Sequence, residues 1–222
     1  MKTNEKIKVS VIIFYNKDRG YLSDAIESAE NQTMQRDDYE IILQYADLSS
    51  AKNFNEGVRR AKGKYIKGLA EDDLFTSNSL NDLYNAAELN QLDVVVSNAI
   101  NFYPDGKEVF CISTIPKTVS HLSEANSIHG GSVLHSRKAL IDVGLMDESL
   151  NYGEEYDLNL KLAQAGYKFG YLDKITFRYR CWDEMKSMQV KVSSGKDFIM
   201  RKREIRNRIN MKYINNHNKI NQ

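Results

Sequence analysis

The sequence is poor in the residues that build disulfide scaffolds, metal knots and rigid linkers. Among 222 residues there are two cysteines, Cys111 and Cys181, far apart and without a CxxC spacing. That excludes a disulfide framework, argues against a thiolate zinc site and suits a reducing, cytosolic compartment. Two prolines, Pro104 and Pro116, leave no Pro-rich linker. The four histidines have no metal-ligand spacing and read as structural or surface groups. No apolar run approaches the ~18 residues that span a bilayer. The start, MKTNEKIKVSVIIFY, is basic. Its apolar run is short, broken by Ser10 and without a small-residue cleavage site, so it reads as a first strand rather than a signal peptide. There is no fixed-period repeat, no Gly-rich dinucleotide fingerprint, no P-loop and no GxSxG elbow.

Charge is abundant but balanced, with 31 Lys+Arg against 30 Asp+Glu. The balance hides an asymmetry. From Glu184 to Gln222 ten Lys/Arg face three Asp/Glu, a local +7 that leaves −6 for the rest of a chain whose net charge is +1. A basic tail on an acidic body suits a solvated helix packed along the domain, or an anionic partner such as a membrane surface or nucleic acid.

Hydrophobic periodicity gives alternating elements. Lys8–Phe14, Tyr39–Gln44, Lys64–Leu69 and Asp93–Asn98 read as buried strands rich in β-branched residues. Between them, Tyr21–Asn31, Ser49–Ala61 and Asn78–Asn90 carry apolar residues at helical spacing, with Ser49 or Ser50 able to cap the second. This alternation predicts a parallel sheet with helices on both faces. Right-handed crossovers then bring the carboxyl ends of the strands to one edge, where ligands of such sheets bind. That edge directs attention to Tyr15-Asn16, to Tyr45–Asp47 and to Ala70–Asp73. In the second half, Pro104-Asp105-Gly106 marks a turn between two β-like runs. Gly130–His135 reads as a strand and Arg137–Val143 as a helix ended by Gly144. Glu154–Ala165 is a second helix, closed by Gly166. Tyr167–Leu172 and Ile175–Arg180 are strand-like, and Lys196–Tyr213 is helical.

Three constellations can carry chemistry. Glu71-Asp72-Asp73, directly after the third strand, repel one another unless something cationic neutralises them. Oxygen-only carboxylates suit Mg²⁺ or Mn²⁺, shared with ligand phosphates, although the same acids could serve a nearby helix start. Glu154-Glu155, opening a helix, could supply a general base or merely complement the helix dipole. Ser49–Asn53, at the head of the second helix, could hold phosphate with help from Lys52, or form an ordinary capped helix. Arg178, Tyr179, Arg180 and Trp182 could stack on a sugar or a base, or form a strand-end core cluster.

The order of these pieces resembles the family 2 glycosyltransferases, which have the GT-A fold. The resemblance runs from about Lys8 to Arg180. It is carried by VSVIIFYN at 9–16, AIESAENQT at 25–33, YEIIL at 39–43 and SSAKNFNEGVRRAKGKYIKGLAEDD at 49–73. The second half adds GGSVLHSRKALIDVGLMDESL at 130–150 and GEEYDLNLKLAQAGYKFGYLD at 153–173. The resemblance implies an α/β, Rossmann-like, mostly parallel sheet with helices on both faces, plus a basic C-terminal helix. It divides the chain into a transferase domain at 1–192 and a tail at 193–222. Within the domain, 1–100 would bind the nucleotide-sugar and 101–192 the acceptor.

By position, the resemblance implies donor binding by Phe14, Tyr15, Asp47, Lys52, Asn53, Glu71 and Asp72. The family's Asp-x-Asp motif falls on Ala70-Glu71-Asp72, so a Mn²⁺ or Mg²⁺ is expected on Asp72, with Asp73 sharing it. Its acid pair falls on Glu154-Glu155, with Glu155 as the base. Four departures stand out, one being that Cys181-Trp182-Asp183 stand where a histidine often follows the late Tyr-Arg. Ala70 replaces the first metal-motif acid. Lys161 replaces an arginine. The acidic loop after the second strand is shortened to Gln44-Tyr45-Ala46-Asp47. The implied activity is inverting transfer of a sugar, from a UDP-sugar first of all, to a glycan or lipid-linked acceptor in polysaccharide or glycoconjugate synthesis. The setting would be cytoplasmic, with peripheral membrane contact through the tail; nucleic acid is not an expected partner. Rival readings are a degenerate nucleotide-sugar-binding protein, a nucleotidyltransferase and a nucleic-acid binder.

Overall fold

The computed structural model describes residues 7–115, 127–150 and 153–182, together with Asn207 and Met211. In chain order the elements are β1 (Val9–Tyr15), α1 (Leu22–Glu30), β2 (Tyr39–Tyr45), α2 (Ser50–Arg60), β3 (Tyr65–Ala70) and β4 (Leu74–Phe75). They continue with α3 (Ser79–Asn90), β5 (Val94–Phe102), β6 (Glu108–Cys111), β7 (Val133–Ser136), α4 (Arg137–Asp142), α5 (Glu154–Gln164) and β8 (Phe169–Arg180). The expected helix over Lys196–Tyr213 lies outside the described residues, apart from Asn207 and Met211, which are helical.

Eight strands form one sheet in the order β2-β1-β3-β7-β5-β8-β4, with β6 paired to β5 off that path. β1 pairs in parallel with β2 and β3, and β5 in parallel with β8. β7 is antiparallel to both β3 and β5, so it joins two parallel halves while keeping their directions alike. Five strands therefore share one direction, and the carboxyl ends of β1, β2, β3, β5 and β8 meet at one edge. The start of β7 comes to that edge as well.

The strand period of two sends alternate residues to opposite faces. Ile12, Ile42 and Ile66 pack with Phe54 and Val58 of α2, Leu140 of α4 and Leu158 and Leu162 of α5. Val11, Ile13 and Leu69 pack on the other face with Ala25 and Ala29 of α1 and Leu80, Leu83 and Ala87 of α3. Each fully buried side chain of this size is worth about 1.5–3 kcal/mol relative to exposure. α2 starts where Ser49 Oγ accepts the Lys52 N–H at 3.3 Å, which settles the cap in favour of Ser49.

The structure revises four sequence expectations. β7 begins only at Val133, because Gly130–Ser132 form a 3₁₀ turn. The two late strand-like runs are one strand, β8, whose register shifts against Ser97–Ala99 absorb the residues between Leu172 and Ile175. β4 is two residues long, too short to show a period. The second half of the sheet runs antiparallel at β6 and β7. The predicted turn is a hairpin, with Gly106 at φ 84° and the Tyr103 N–H bonded to the Lys107 carbonyl at 3.0 Å.

Candidate functional site

At the end of β3 the chain turns, with the Asp73 N–H bonded to the Ala70 carbonyl at 3.2 Å. The three acids of this turn differ sharply in surroundings. Glu71 is buried and forms an ion pair with Arg19 from the loop after β1. Burial raises its carboxyl pKa and the neighbouring Asp72 raises it further, while Arg19 opposes both. Asp73 is 4% exposed, and its Oδ1 accepts the Arg180 N–H at 2.9 Å. Burial pushes its pKa well above the usual carboxylate range, and the Asp72 charge adds to the rise. Asp72 is half-buried; its Oδ2 accepts the Trp182 indole N–H at 3.0 Å.

Arg180, the last residue of β8, anchors this turn. Its Nε donates to the Asp72 carbonyl at 2.8 Å and its Nη2 to Asp24 at 3.0 Å. Its guanidinium lies 4.2 Å from the Tyr21 ring centroid and 4.8 Å from that of Phe102, within cation–π range. The cations that three adjacent acids demand are thus supplied in part by Arg19 and Arg180.

A divalent ion would find one carboxylate at the edge. Asp72 keeps Oδ1 without a hydrogen-bond donor among the described residues, whereas Glu71 is paired and Asp73 is buried. Asp73, expected to share the ion, is buried, and through its Oδ1 it braces β3 against β8. Among the described residues no group of three or more His, Cys, Asp and Glu could hold a metal. The donor set fits Mg²⁺ or Mn²⁺ in the mode where one carboxylate binds and ligand phosphates and water complete the shell.

Along the same edge, Tyr15 and Tyr45 end β1 and β2 as register partners, with ring centroids 5.1 Å apart. Tyr45 is 60% exposed and Asp47 is exposed beside it in sequence. Phe14 packs edge-on against Phe54 at 5.8 Å. Lys52 is exposed in the first turn of α2. Asn53 is different: it is buried, and its Nδ2 donates to the carbonyls of Ala46 at 3.0 Å and Tyr15 at 3.2 Å. It ties the ends of β1 and β2 to α2, while its Oδ1 has no hydrogen-bond partner among the described residues.

The second acidic pair reaches this edge from the other side. Gly153 enters α5 at φ 80°; Glu154 is buried and Glu155 exposed. Glu155 lies against the turn before β7. A Cβ added at Gly130 would come within 3.0 Å of its Cγ and 3.4 Å of its Cδ. The next residue, Gly131, faces Phe177 so closely that a Cβ would meet ring atoms at 2.2 Å. The Gly131 carbonyl accepts a hydrogen bond from Lys67, which is fully buried in β3.

Sequence reasoning passed over Lys67 and Arg19 and left Arg180 and Trp182 between two readings. Lys67 had a visible signal, a charge among the inward residues of KYIKGL. Arg19 and Arg180 had none, since Glu71 lies 52 residues from the first, and the Asp72 carbonyl and the Asp24 carboxylate lie 108 and 156 residues from the second. The cysteines are free, Cys181 buried and Cys111 half-buried.

No family model matches the chain. An uncharacterized glycosyltransferase of Rickettsia typhi is 31% identical over 195 residues, covering 71% of this chain and 59% of that protein. One of Rickettsia prowazekii is 30% identical over 193 residues, with the same two coverages. EpsJ of Bacillus subtilis, also named an uncharacterized glycosyltransferase, is 28% identical over 145 residues, 60% of this chain and 42% of EpsJ. The chain spans 59% of the length of the two rickettsial relatives. Among solved structures, S. aureus TarS 1-349 in complex with UDP-GlcNAc superposes with a TM-score of 0.64 at 15% identity, over 82% of this chain and 60% of that one. TarS 1-349 in complex with UDP gives 0.62 at 13% identity, over 83% and 63%. The fold is shared with TarS. The α/β architecture expected from the sequence, GT-A-like with a mostly parallel sheet between helices, is therefore the architecture of the molecule. At these identities the TarS likeness fixes the path of the chain and leaves the side-chain chemistry to be argued from the site itself.

Proposed function

We propose that this chain is the catalytic domain of an inverting, metal-dependent glycosyltransferase of the family 2 type, with a UDP-sugar as donor. The observation that carries the reading is the convergence of Asp72 and Glu155 on one strand-end edge from opposite halves of the sequence. The names of the relatives and the UDP-GlcNAc and UDP complexes of TarS support the choice of donor.

In this reading Asp72 holds a Mg²⁺ or Mn²⁺ together with the donor diphosphate. A bound cation supplies stabilisation of the negative charge that the leaving diphosphate gains. Lys52, exposed at the start of α2, adds a positive charge beside backbone N–H groups suited to phosphate. Tyr15 and Tyr45 offer aromatic faces to the nucleobase, with Asp47 next to them. Glu155 accepts the proton of the acceptor hydroxyl as its oxygen bonds to the anomeric carbon. The bond from that carbon to the diphosphate oxygen breaks, and the nucleoside diphosphate leaves with the bonding electrons. The nucleophile belongs to the acceptor, so no covalent enzyme intermediate is needed.

The acceptor is proposed to be a glycan or a lipid-linked glycan, handled in the cytoplasm, with the basic segment 193–222 lying on anionic lipid. Deleting 196–222 should then abolish binding to vesicles containing anionic lipid; unchanged binding rejects that contact. Among the described residues no helix is long and apolar enough to cross a membrane.

The deciding experiment measures nucleoside diphosphate release from a panel of nucleotide sugars with Mn²⁺, Mg²⁺ or chelator. Metal-dependent release of UDP, lost in Asp72→Ala, supports the reading. A second reading, a nucleotide-sugar-binding protein without turnover, is favoured by Ala70 and by the neutralisation of Glu71 by Arg19. It predicts a thermal shift with donor and no released diphosphate.

A further inference from the structure

Lys67 is a buried charge-bearing group that the proposed reaction does not use. It is 0% exposed in the middle of β3, opposite Leu134 of β7. A buried ammonium is costly unless it is paired. Among the described residues it forms no ion pair. Its Nζ donates to the Gly131 carbonyl and lies 5.1 Å and 5.0 Å from the ring centroids of Phe75 and Phe177. The charged and titratable groups that sense it are Asp73 of the acid turn, His129 before β7 and His135 within β7. An apolar side chain would fill this place without that cost; what the amine adds is its grip on the Gly131 carbonyl.

What it holds is the 129–132 turn. Phe177 closes one side of that turn at Gly131, and the Glu155 side chain rests on it at Gly130. The His129 ring packs on Phe177 at 5.6 Å and Tyr179 at 5.3 Å, fixing the turn's entry. The amine grips the turn from inside the sheet, on the same strand whose end carries the acid turn at 71–73.

We propose that Lys67 is a positioning residue: by holding the Gly131 carbonyl, its buried amine sets the turn on which Glu155 lies, and so places that carboxylate relative to Asp72. The inference rests on reading Glu155 as the base. It predicts that loss of the amine misplaces the base with little effect on donor binding, since Tyr15, Tyr45 and Asp47 lie on β1, β2 and the loop after it, Lys52 lies on α2, and Asp72 is held by Arg180 and Trp182 rather than by the 129–132 turn. Misplacement of a reacting group by about 1 Å can cost on the order of 100-fold in rate.

The test uses the full chain carrying Lys67→Met, with Lys67→Leu as a second variant should the first not fold. Crystal structures of variant and parent form the first arm and need no substrate. A shifted 129–132 turn with a displaced Glu155 is expected; an unmoved turn and Glu155 would overturn the proposal. The second arm measures UDP release from UDP-GlcNAc with Mn²⁺. The variant should lose at least about tenfold in kcat with KM within about twofold. In a Glu155→Asp background the same substitution should cost far less, because the base is already displaced. An equal loss in both backgrounds would show that Lys67 does not act through Glu155. Full activity of Glu155→Gln would instead remove the base reading itself. Silence of the parent chain on UDP-GlcNAc would reject that donor and leave the crystal structures to decide.

Discussion

The acid turn at 71–73 and the acid start of α5 at 154–155 are alike in sequence and unlike in the folded chain. In the turn, two of three acids are buried, and cations from distant segments, Arg19 and Arg180, hold them. At α5 one acid is buried and one exposed, and the helix N-terminus itself favours negative charge. The first cluster is built to stay in place under strong mutual repulsion, while the second presents one carboxylate at a strand-end edge. A run of acids does not specify a role; the cations around it and the exposure of each member do.

The largest effects should come from the one carboxylate that each cluster presents. Glu155→Gln keeps the shape and removes the proposed base, so turnover should fall about 100-fold or more, roughly 2.7 kcal/mol in barrier, with donor binding intact. Asp72→Ala should instead abolish metal-dependent donor binding, read as the Mn²⁺-dependent thermal shift with UDP. If Glu155→Gln weakened UDP binding as much as Asp72→Ala does, the division of labour would collapse.

Next in size is the brace. Arg180→Ala removes the charged hydrogen bond to the Asp72 carbonyl and leaves Asp73 with the backbone N–H alone. A hydrogen bond from a charged donor contributes about 1.5–3 kcal/mol, so a stability loss of about 2 kcal/mol is expected in chemical denaturation. The equivalent cut at α5, Lys161→Met, should cost at least as much. Lys161 donates to the Leu145 carbonyl at 2.7 Å and pairs at 3.3 Å with Asp157, whose carboxylate is fully buried, and removing one partner of such a pair is strongly destabilising. A smaller loss than that of Arg180→Ala would show that the turn needs its cations more than the helix does.

Local elements were legible wherever one period ran long enough. β1, α2 and α3 each present a repeating apolar face, and their bounds fall within a residue or two of the sequence reading. β4 was not legible because two residues carry no period, and the antiparallel entry of β7 is decided by its neighbours β3 and β5. Of the site, the acids were visible as chemistry. The brace of Arg180, the buried place of Asp73 and the role of Asn53 between β1, β2 and α2 were not, since each depends on long-range contacts. The sequence shows the acids at Glu71–Asp73 but not the pairing of Arg19, from the loop after β1, with Glu71.

Between the two clusters lies a buried layer that should respond to pH. His135 and His129 have their pKa lowered to about 4 by burial, with the Lys67 charge a further cause. Unfolded, each would titrate near 6.5, so between 6.5 and 4 the unfolded chain binds more protons. Stability is then complete above pH 6.5 and falls with pH through that window, by on the order of 1–2 kcal/mol per histidine between pH 7 and 5. His135→Leu should flatten this part of the profile: its Nε2 has no hydrogen-bond partner among the described residues, although the contact with Asn159 is lost. An unchanged slope would place the acid sensitivity in the carboxylates instead.

The smallest expected effect tests the seat of Glu155 alone. Gly130 lacks a positive φ, so alanine is conformationally allowed there, and the atom its Cβ would crowd belongs to a flexible side chain. Gly130→Ala should therefore melt within a few degrees of the parent. Its methyl must still push Glu155 Cγ from a 3.0 Å contact by a few tenths of an ångström, lifting the carboxylate off the turn. A fall in kcat of about fivefold, roughly 1 kcal/mol, with donor KM unchanged is the expected signature. Gly131→Ala is the contrast one residue away: its Cβ would meet a buried ring rather than a movable chain, so it should destabilise the fold by about 1–3 kcal/mol. If Gly130→Ala lost stability and kept its kcat, the turn would be a packing element and Glu155 would owe nothing to it.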